Sequence, residues 1–244
     1  GEDYLFYTRV DDAWRPYQVW RHRIGTPEAQ DVLVYQEDDE RFNVGVGADR
    51  AERYLYIVSS SSLTTEYRVA PLAEPEADFA VLRERESGVE YHPDYAQVGG
   101  REYWVITHNA TGPNFAVAAA EIGADLGDLA GLRELVPHSD DMRVEGVDTY
   151  RDFAFVGYRR GGIPRLAVAD LRSGFGGLTE LEFDEELYSA SLGGNPEWDA
   201  PVVRVGYSSF TQPSQVLDYR VATGEFTLLK QQEVQGGYDA SEYE

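Results

Sequence analysis

Short groups of carboxylate side chains recur along the sequence, each between two apolar segments. Converging carboxylates attract cations and the side chains of Arg and Lys. The sequence therefore predicts a rim that steers a cationic ligand, formed by Asp38, Asp39, Asp140, Asp141, Asp184 and Glu185, with Glu37, Glu40, Glu84, Glu86, Glu90 and Glu186 extending the same groups. The competing interpretation is that these are ordinary solvated connections in a chain that is acidic throughout.

Paired carboxylates could also cleave sugars, because glycoside hydrolases place two acids on either side of the glycosidic bond. The candidates for such a pair are Glu90, Asp94, Glu145 and Asp148. They do not share one position in the repeat described below, so this chemistry ranks second.

The sequence lacks the common motifs of other enzyme classes. It has no G-x-S-x-G nucleophile elbow, no H-E-x-x-H zinc motif and no phosphate-binding glycine loop. Its four histidines are His22, His92, His108 and His138, and they are spread without the spacing of metal ligands. We therefore predict no catalytic residue, no metal site and no cofactor in this chain, and a structural role for each histidine.

The chain is strongly acidic, with 21 basic and 44 acidic residues among 244 and a formal net charge of −23. Such a surface repels phosphate backbones and anionic lipids, so neither nucleic acid nor membrane is an expected partner. The charge fits either solubility in high salt or the steering of cationic ligands. The absence of cysteine excludes disulfides and fits a cytoplasmic location.

A repeated pair of apolar strands organises the chain. The pair at 53–73 reads RYLYIVSSSSLTTEYRVAPLA, and similar pairs occupy 3–25, 102–123, 152–174 and 202–224. The first apolar residues after the five turns are separated by 50, 48, 51 and 50 positions; they are Tyr17, Tyr67, Phe115, Leu166 and Val216. A β-strand repeat of roughly 40–50 residues is typical of propeller blades.

The sequence thus predicts an all-β fold, a β-propeller fragment of about five blades of four antiparallel strands with the first blade incomplete. The predicted blades span 3–37 (partial), 42–86, 90–138, 142–183 and 187–232, and 233–244 is a linker or tail. Blade-to-blade packing should bury Tyr54, Trp104, Phe153 and Phe155. Between the last two strands of the third blade, 125–130 is too rich in glycine for a stable helix and should form an extended turn.

The first blade has only three predicted strands and therefore an unpaired edge, which is prone to pair with another chain. We expect either that 236–244 folds back to supply the missing strand or that chains self-associate.

The chain starts at Gly1 and its only methionine is Met142, so we treat it as an excised piece of a longer protein.

The alternating direction of strands brings the acidic groups together. In a four-stranded blade, the turn between the second and third strands lies at the same end as the link to the next blade. The acidic groups fall in those links, so they should line one mouth of the propeller channel.

Several long segments resemble the prolyl oligopeptidase family of serine peptidases, and within it the oligopeptidase B group. They include RYLYIVSSSSLTTEYR at 53–68, ELVPHSDDMRVEGVD at 134–148 and the segment 204–239, which ends VATGEFTLLKQQEVQGGYD. The resemblance covers nearly the whole chain. It implies the later blades of a propeller that caps an α/β-hydrolase catalytic domain in the same protein, which cuts short basic peptides after Arg or Lys.

No position that matches this family belongs to the catalytic triad, so the resemblance carries over no catalytic residue. It implies a non-catalytic role in excluding large proteins and contacting the hydrolase domain. The alternative is an autonomous five-bladed propeller that binds or processes glycans. A G-x-S-x-G motif downstream in the same reading frame would favour the first hypothesis, and a stop codon the second.

Overall fold

The computed structural model describes residues 3–172 and 174–238, and within them the chain folds almost entirely into β-strands. The strands are β1 (Tyr4–Val10), β2 (Pro16–Arg23), β3 (Val32–Gln36), β4 (Asn43–Ala48), β5 (Tyr54–Ser60), β6 (Thr65–Pro71), β7 (Ala80–Arg83), β8 (Tyr91–Val98), β9 (Arg101–His108), β10 (Ala116–Glu121), β11 (Arg133–Val136), β12 (Met142–Thr149), β13 (Phe153–Arg160), β14 (Ile163–Asp170), β15 (Thr179–Glu180), β16 (Tyr188–Leu192), β17 (Val202–Ser209), β18 (Gln215–Arg220) and β19 (Glu225–Gln231). The only helical segments in the described ranges are two three-residue turns, Glu28–Gln30 and Leu129–Gly131, so no helix there could cross a bilayer.

The strands form five antiparallel sheets, each built from consecutive strands. β1–β3 form a three-stranded sheet, and β4–β7, β8–β11, β12–β15 and β16–β19 form four-stranded sheets. We call these sheets blades 1 to 5. The predicted all-β propeller arrangement with an incomplete first blade is confirmed.

Apolar side chains between successive blades hold the sheets together. Phe155, Tyr207 and Tyr219 belong to the cluster between blades 4 and 5, and Val19 and Ile57 to the one between blades 1 and 2. Two further clusters fill the interfaces between blades 2 and 3 and between blades 3 and 4. Each sheet therefore covers its faces by stacking sideways on its neighbours.

In blade 1, the strand β1 pairs on one side and packs against blade 2. Within the described residues, β1 pairs with β2 alone, in a register that sets Tyr4 opposite Arg23 and Thr8 opposite Val19. Phe6 packs edge-on against Phe79 of blade 2, with ring centroids 6.0 Å apart. The edge of β1 that faces away from β2 carries no backbone partner among the described residues. The prediction that 236–244 supplies a strand falls largely on residues 239–244, which lie outside the described ranges.

Two segments differ in detail from the sequence-based expectation. The turn at 125–130 buries Leu126 and Leu129 and runs into a 3-10 turn, in which the carboxylate of Asp128 accepts a hydrogen bond from Gly131 N at 3.1 Å. The blade predicted at 142–183 ends in a strand of only two residues, β15, Thr179–Glu180. The carboxylate of Glu180 accepts from Tyr158 and from Arg160, so the strand is fixed by side chains rather than by a long ladder.

Candidate functional site

The two ends of the propeller are distinct, and the sequence-predicted carboxylates lie at one of them. At this end Arg15, in the turn after β1, donates to the main-chain oxygen of Phe42 at 3.0 Å, and Gly88 N donates to Thr64 Oγ1 at 3.0 Å. The turns within blades and the links between blades therefore share one end. We call this end the acidic rim, formed by 37–42, 84–90, 137–141 and 182–187 with the adjoining turns, and the other end the opposite rim.

The six residues predicted to steer a cationic ligand all lie on the acidic rim. Asp38, Asp140, Asp141 and Asp184 are exposed, and Asp39 and Glu185 are partly buried. Glu185 accepts a hydrogen bond from Thr211 Oγ1 at 2.6 Å. Four of the six carboxylates are thus freely presented to solvent, as steering of a ligand would require.

Arginines are interleaved with the acids of this rim. Arg41 donates to both carboxylate oxygens of Asp39, and these hydrogen bonds hold the pKa of Asp39 at about 2. Arg83 pairs with Glu86 at 2.6 Å. Part of the predicted negative charge is therefore already compensated within the protein.

One ion network on this rim is buried. Glu37 and Glu66 are 4% and 1% exposed, and Arg85 bridges them at 2.6 Å and 3.3 Å. Burial opposes the ionisation of Glu37, but hydrogen bonds from Arg85, the Asp39 main chain and Tyr35 outweigh it and lower its pKa. The same balance lowers the pKa of Glu66, with Arg85 N and Arg68 as its donors. This network joins blade 1 to blade 2 and has no free carboxylate to offer a ligand.

A cavity of about 940 Å³ lies on the channel side of the blades, near the opposite rim. The strands β8 and β12 supply much of its wall, together with Ala48 at the end of β4. Tyr54, Tyr67 and Trp104 form an aromatic part of the wall, and the rings of Tyr54 and Trp104 are 5.0 Å apart. Of the residues predicted to be core, Trp104, Phe153 and Phe155 are buried, whereas Tyr54 is only partly buried.

Five carboxylates line this cavity, of which Asp49 and Glu52 lie in the turn after β4 and three lie on two strands. Asp94 lies on β8, and Glu145 and Asp148 lie on β12. The fourth residue considered for sugar chemistry, Glu90, lies elsewhere and contacts Asn109 on the acidic rim. The structure thus brings together three of the four candidates that sequence spacing did not align.

Asp94 is an acid with a raised pKa. Loss of solvent around its carboxylate raises its pKa to about 6, against the opposing effect of hydrogen bonds from Thr149 and of the charge of Arg50. The Thr149 main-chain N–H donates to Asp94 Oδ2 at 2.9 Å. A cation in the cavity would therefore favour the ionised form of this carboxylate.

Arg50 and Trp198 make contacts between blades that the sequence did not single out. Arg50, in the turn after β4, reaches across to blades 4 and 5. Trp198, in the connection after β16, packs against Tyr95 of blade 3 with ring centroids 5.7 Å apart. Both residues lie in connections, where no strand pattern signals their role.

The histidines take separate structural positions. His22 contacts Asp31 at 2.6 Å, His92 contacts Tyr67, and His108 is buried with its pKa lowered by burial and by Arg83. In residues 3–172 and 174–238 no group of three or more His, Asp or Glu side chains is placed to hold a metal ion.

Comparisons with known proteins agree on one family. Residues 1–232 match the family model described as "Prolyl oligopeptidase, N-terminal beta-propeller domain". The chain is 37% identical over 243 residues to dipeptidyl aminopeptidase BI of Pseudoxanthomonas mexicana, covering 98% of this chain and 32% of that protein. It is 26% identical over 241 residues to protease 2 of Moraxella lacunata, covering 99% and 33%.

Solved structures show the same likeness. Oligopeptidase B from Trypanosoma brucei, in a closed form with covalently bound antipain, superposes with a TM-score of 0.89 at 30% identity, covering 99% of this chain and 34% of that one. Oligopeptidase B from Leishmania major gives 0.87 at 28% identity, covering 98% and 34%. The chain therefore spans about one third of the length of these relatives. These comparisons lend no support to the alternative of a glycan-processing propeller.

Proposed function

Because the chain belongs to the prolyl oligopeptidase family, as its N-terminal β-propeller domain, we propose that it is the non-catalytic propeller portion of an oligopeptidase-B-like serine peptidase. In this role it limits the size of the substrate and provides the scaffold for an α/β-hydrolase domain of the same protein. The observation that carries the proposal is the family match across 1–232, together with a channel-side cavity of about 940 Å³.

The cavity supports the role in size selection. It has room for side chains and short peptides, and its walls are strands fixed by sheet pairing and by the clusters between blades. Binding walls on regular strands keep their dimensions better than loops do. A folded protein cannot enter a space of this volume, whereas an extended peptide can.

Charge supports short basic peptides, cleaved after Arg or Lys, as the substrate class. The exposed acids Asp38, Asp140, Asp141 and Asp184 lie on one rim, and Asp94, Glu145 and Asp148 line the cavity behind it. A field of one sign over a cleft raises the local concentration of oppositely charged ligands. The cavity is lined by five carboxylates and one arginine, Arg50, so both ends of the path that a peptide would follow have more acidic than basic groups.

The course of the last strand favours the acidic rim as the face that meets the hydrolase domain. β19 ends at Gln231 opposite Gln215, and Gln232 N donates to Ser214 O at 2.8 Å. The hydroxyl of Tyr238 then contacts the main-chain oxygen of Thr211, which lies on the same rim. A domain that follows residue 238 would start from this side.

A cytoplasmic location stays a prediction that rests on the absence of cysteine.

Peptidase assays of two proteins test this function. The full-length protein read from the parent gene should release a fluorophore from substrates with Arg or Lys before the reporter, and much less from the same substrate with Glu. The chain 1–244 alone should release none. Turnover by the purified chain alone, or a full-length protein without preference for Arg or Lys, would contradict the proposal.

A further inference from the structure

The connection between β16 and β17 is longer than the equivalent connections of the other blades. It spans nine residues, 193–201, compared with five at 49–53, two at 99–100 and three at 150–152. A two-residue turn is enough to join neighbouring antiparallel strands. The extra residues of blade 5, which we call the strap, are therefore not needed to form the sheet.

The strap crosses the channel at the opposite rim and touches three other blades. Asn195 O accepts from Arg50 Nε of blade 2 at 2.9 Å, and the Trp198 ring packs on Tyr95 of blade 3. Trp198 O accepts from Arg151 N of blade 4 at 3.1 Å. Blades 2 and 5 are not neighbours in the order of the sheets, so a segment that touches both must bridge the channel mouth.

Arg50 provides the contacts that span the mouth. Besides Asn195 O, its guanidinium donates to Thr149 O at 2.6 Å and to Asp148 Oδ1 at 2.7 Å, and it lies 4.3 Å from the centre of the Tyr150 ring. The Arg50 side chain is 18% exposed. The planar fork of an arginine can hold several oxygen acceptors in a fixed arrangement, which a lysine cannot do.

The strap and Arg50 form the roof of the cavity. Gly193, Gly194, Asn195 and Pro196 line it together with Arg50, on the side away from the acidic rim. Most of the strap is exposed, and its backbone bonds the adjacent strand β17 through Gly193 N, which donates to Arg204 O at 2.8 Å. The Asn195 side chain also bonds the main chain of Arg204. The hydrogen bond from Arg50 to Asn195 O ties this exposed segment to blade 2, so its loss should loosen the strap.

We propose that the strap closes the channel mouth at the opposite rim and that Arg50 is the latch that holds it shut. A peptide then reaches the cavity from the acidic rim, and the roof limits how far it can extend beyond the cavity. Arg50 thereby acts as a positioning residue for peptide length. The effect on peptide length rests on the proposed function, whereas the role of Arg50 in holding the strap does not.

Hydrogen–deuterium exchange of the full-length protein tests the latch. Arg50→Gln should raise exchange in 193–201 by about tenfold or more and leave β16 and β17 unchanged. Arg53→Gln is the matched control, because Arg53 lies in the same turn but contacts Glu102 rather than the strap. If Arg50→Gln does not fold, Arg50→Lys, which keeps the charge without the fork, should give a smaller rise in the same segment.

Peptide length provides the second readout. With peptides that carry one Arg at a fixed position and extend by increasing lengths beyond it, Arg50→Gln should raise the ratio of kcat/KM for long over short peptides by about fivefold, and Arg53→Gln should not. Unchanged exchange in the strap of a folded Arg50 variant overturns the proposal, and so does a loosened strap with an unchanged ratio. A full-length protein without peptidase activity would refute the proposed function, whereas the exchange result would still decide whether Arg50 holds the strap.

Discussion

Arg85 Nη2 lies 2.6 Å from Glu37 Oε2, and this contact joins the link after blade 1 to the link after blade 2. Glu37 is 5% exposed at its side chain and Arg85 27%. The same Arg85 nitrogen lies 3.3 Å from Glu66 Oε1. Arg85 therefore bridges two buried carboxylates at the junction of two blades, and Arg68, 2.6 Å from Glu66, supplies the second positive charge. The arrangement of blades can thus be tested at Arg85.

Arg85→Gln should destabilise the protein strongly. Removing one partner of a buried ion pair costs about 3–5 kcal/mol, because the charges left behind have no water to replace it. The unfolding midpoint in urea measures this loss. Arg101→Gln is the control, since Arg101 and Glu121 form an exposed pair at 3.3 Å, worth about 0–1 kcal/mol. Similar midpoints for the two variants would contradict the structural importance of the Arg85 network.

The same network predicts a loss of stability in acid. The pKa of Glu37 and of Glu66 is lower in the folded chain than the ordinary value of 4.5. A carboxylate whose folded pKa is depressed contributes stability above its unfolded pKa and loses it as the pH falls towards the folded pKa. The gap in unfolding midpoint between wild type and Glu37→Gln should therefore shrink below about pH 4.5. A gap that stays constant down to about pH 3 would show that ionisation of Glu37 is not the cause.

The blades could be predicted from sequence because strand patterning and spacing are local and repeated. Five apolar pairs at nearly equal intervals indicate a stacked repeat, and the structure has five antiparallel sheets of three or four strands. The length of β15 could not be predicted, because the segment 178–183 has an apolar pattern but Glu180 is fixed by Tyr158 and Arg160. A side-chain contact between strands leaves no trace in the periodicity of either strand.

The candidate site was predictable only in part. The links that carry Asp38, Asp140 and Asp184 meet on one rim because strand direction alternates, which the pattern does reveal. The sequence did not predict the contacts of Arg50 between blades or the part of Glu66 in the buried ion network. Arg50 binds the main-chain oxygens of Thr149 and Asn195, which are 99 and 145 positions away, and a main-chain acceptor has no sequence signature. Glu66 occupies a strand position that is 1% exposed.

Asp94→Asn should stabilise the protein, and more so at higher pH. The pKa of Asp94 is raised to about 6, from an ordinary value of 3.8. The folded state then binds a proton more tightly than the unfolded state, so the free energy of unfolding falls as the pH rises from about 4 to 6. Above about pH 6 this loss of stability persists in full. Asn keeps an oxygen for Thr149 N and carries no charge.

The measurement for Asp94 is the melting temperature of wild type and Asp94→Asn at about pH 4 and pH 8. Each kcal/mol corresponds to about 2–4 °C for a domain of this size. Asp125→Asn serves as the control, because Asp125 is exposed and does not line the cavity. An Asp94→Asn protein that is less stable than wild type at about pH 8 would show that its negative charge is required there, for example by Arg50.

Phe155→Ala should open a cavity between blades 4 and 5. Phe155 is fully buried, and its ring centroid lies 6.2 Å from that of Tyr150 and 6.1 Å from that of Tyr219. Truncating a buried Phe costs about 3–5 kcal/mol. Phe210→Ala is the matched control, since Phe210 is 90% exposed and should change the unfolding midpoint little. Equal effects of the two substitutions would argue against blade-to-blade packing at this interface.

The acidic rim should affect the capture of basic peptides through its charge. Replacing the four exposed acids by their amides, in Asp38→Asn, Asp140→Asn, Asp141→Asn and Asp184→Asn together, should lower kcat/KM of the full-length protein for an Arg-containing peptide by about tenfold at low salt. High salt should remove the difference, because the Debye length falls to about 3 Å at 1 M. A protein with four amides placed away from the rim, Glu74→Gln, Glu121→Gln, Glu134→Gln and Glu225→Gln, undergoes the same change in net charge and isolates the effect of position. If both proteins lose activity equally, the acidity acts through total charge and the rim does not steer; if neither does, the acids of this end serve solubility alone.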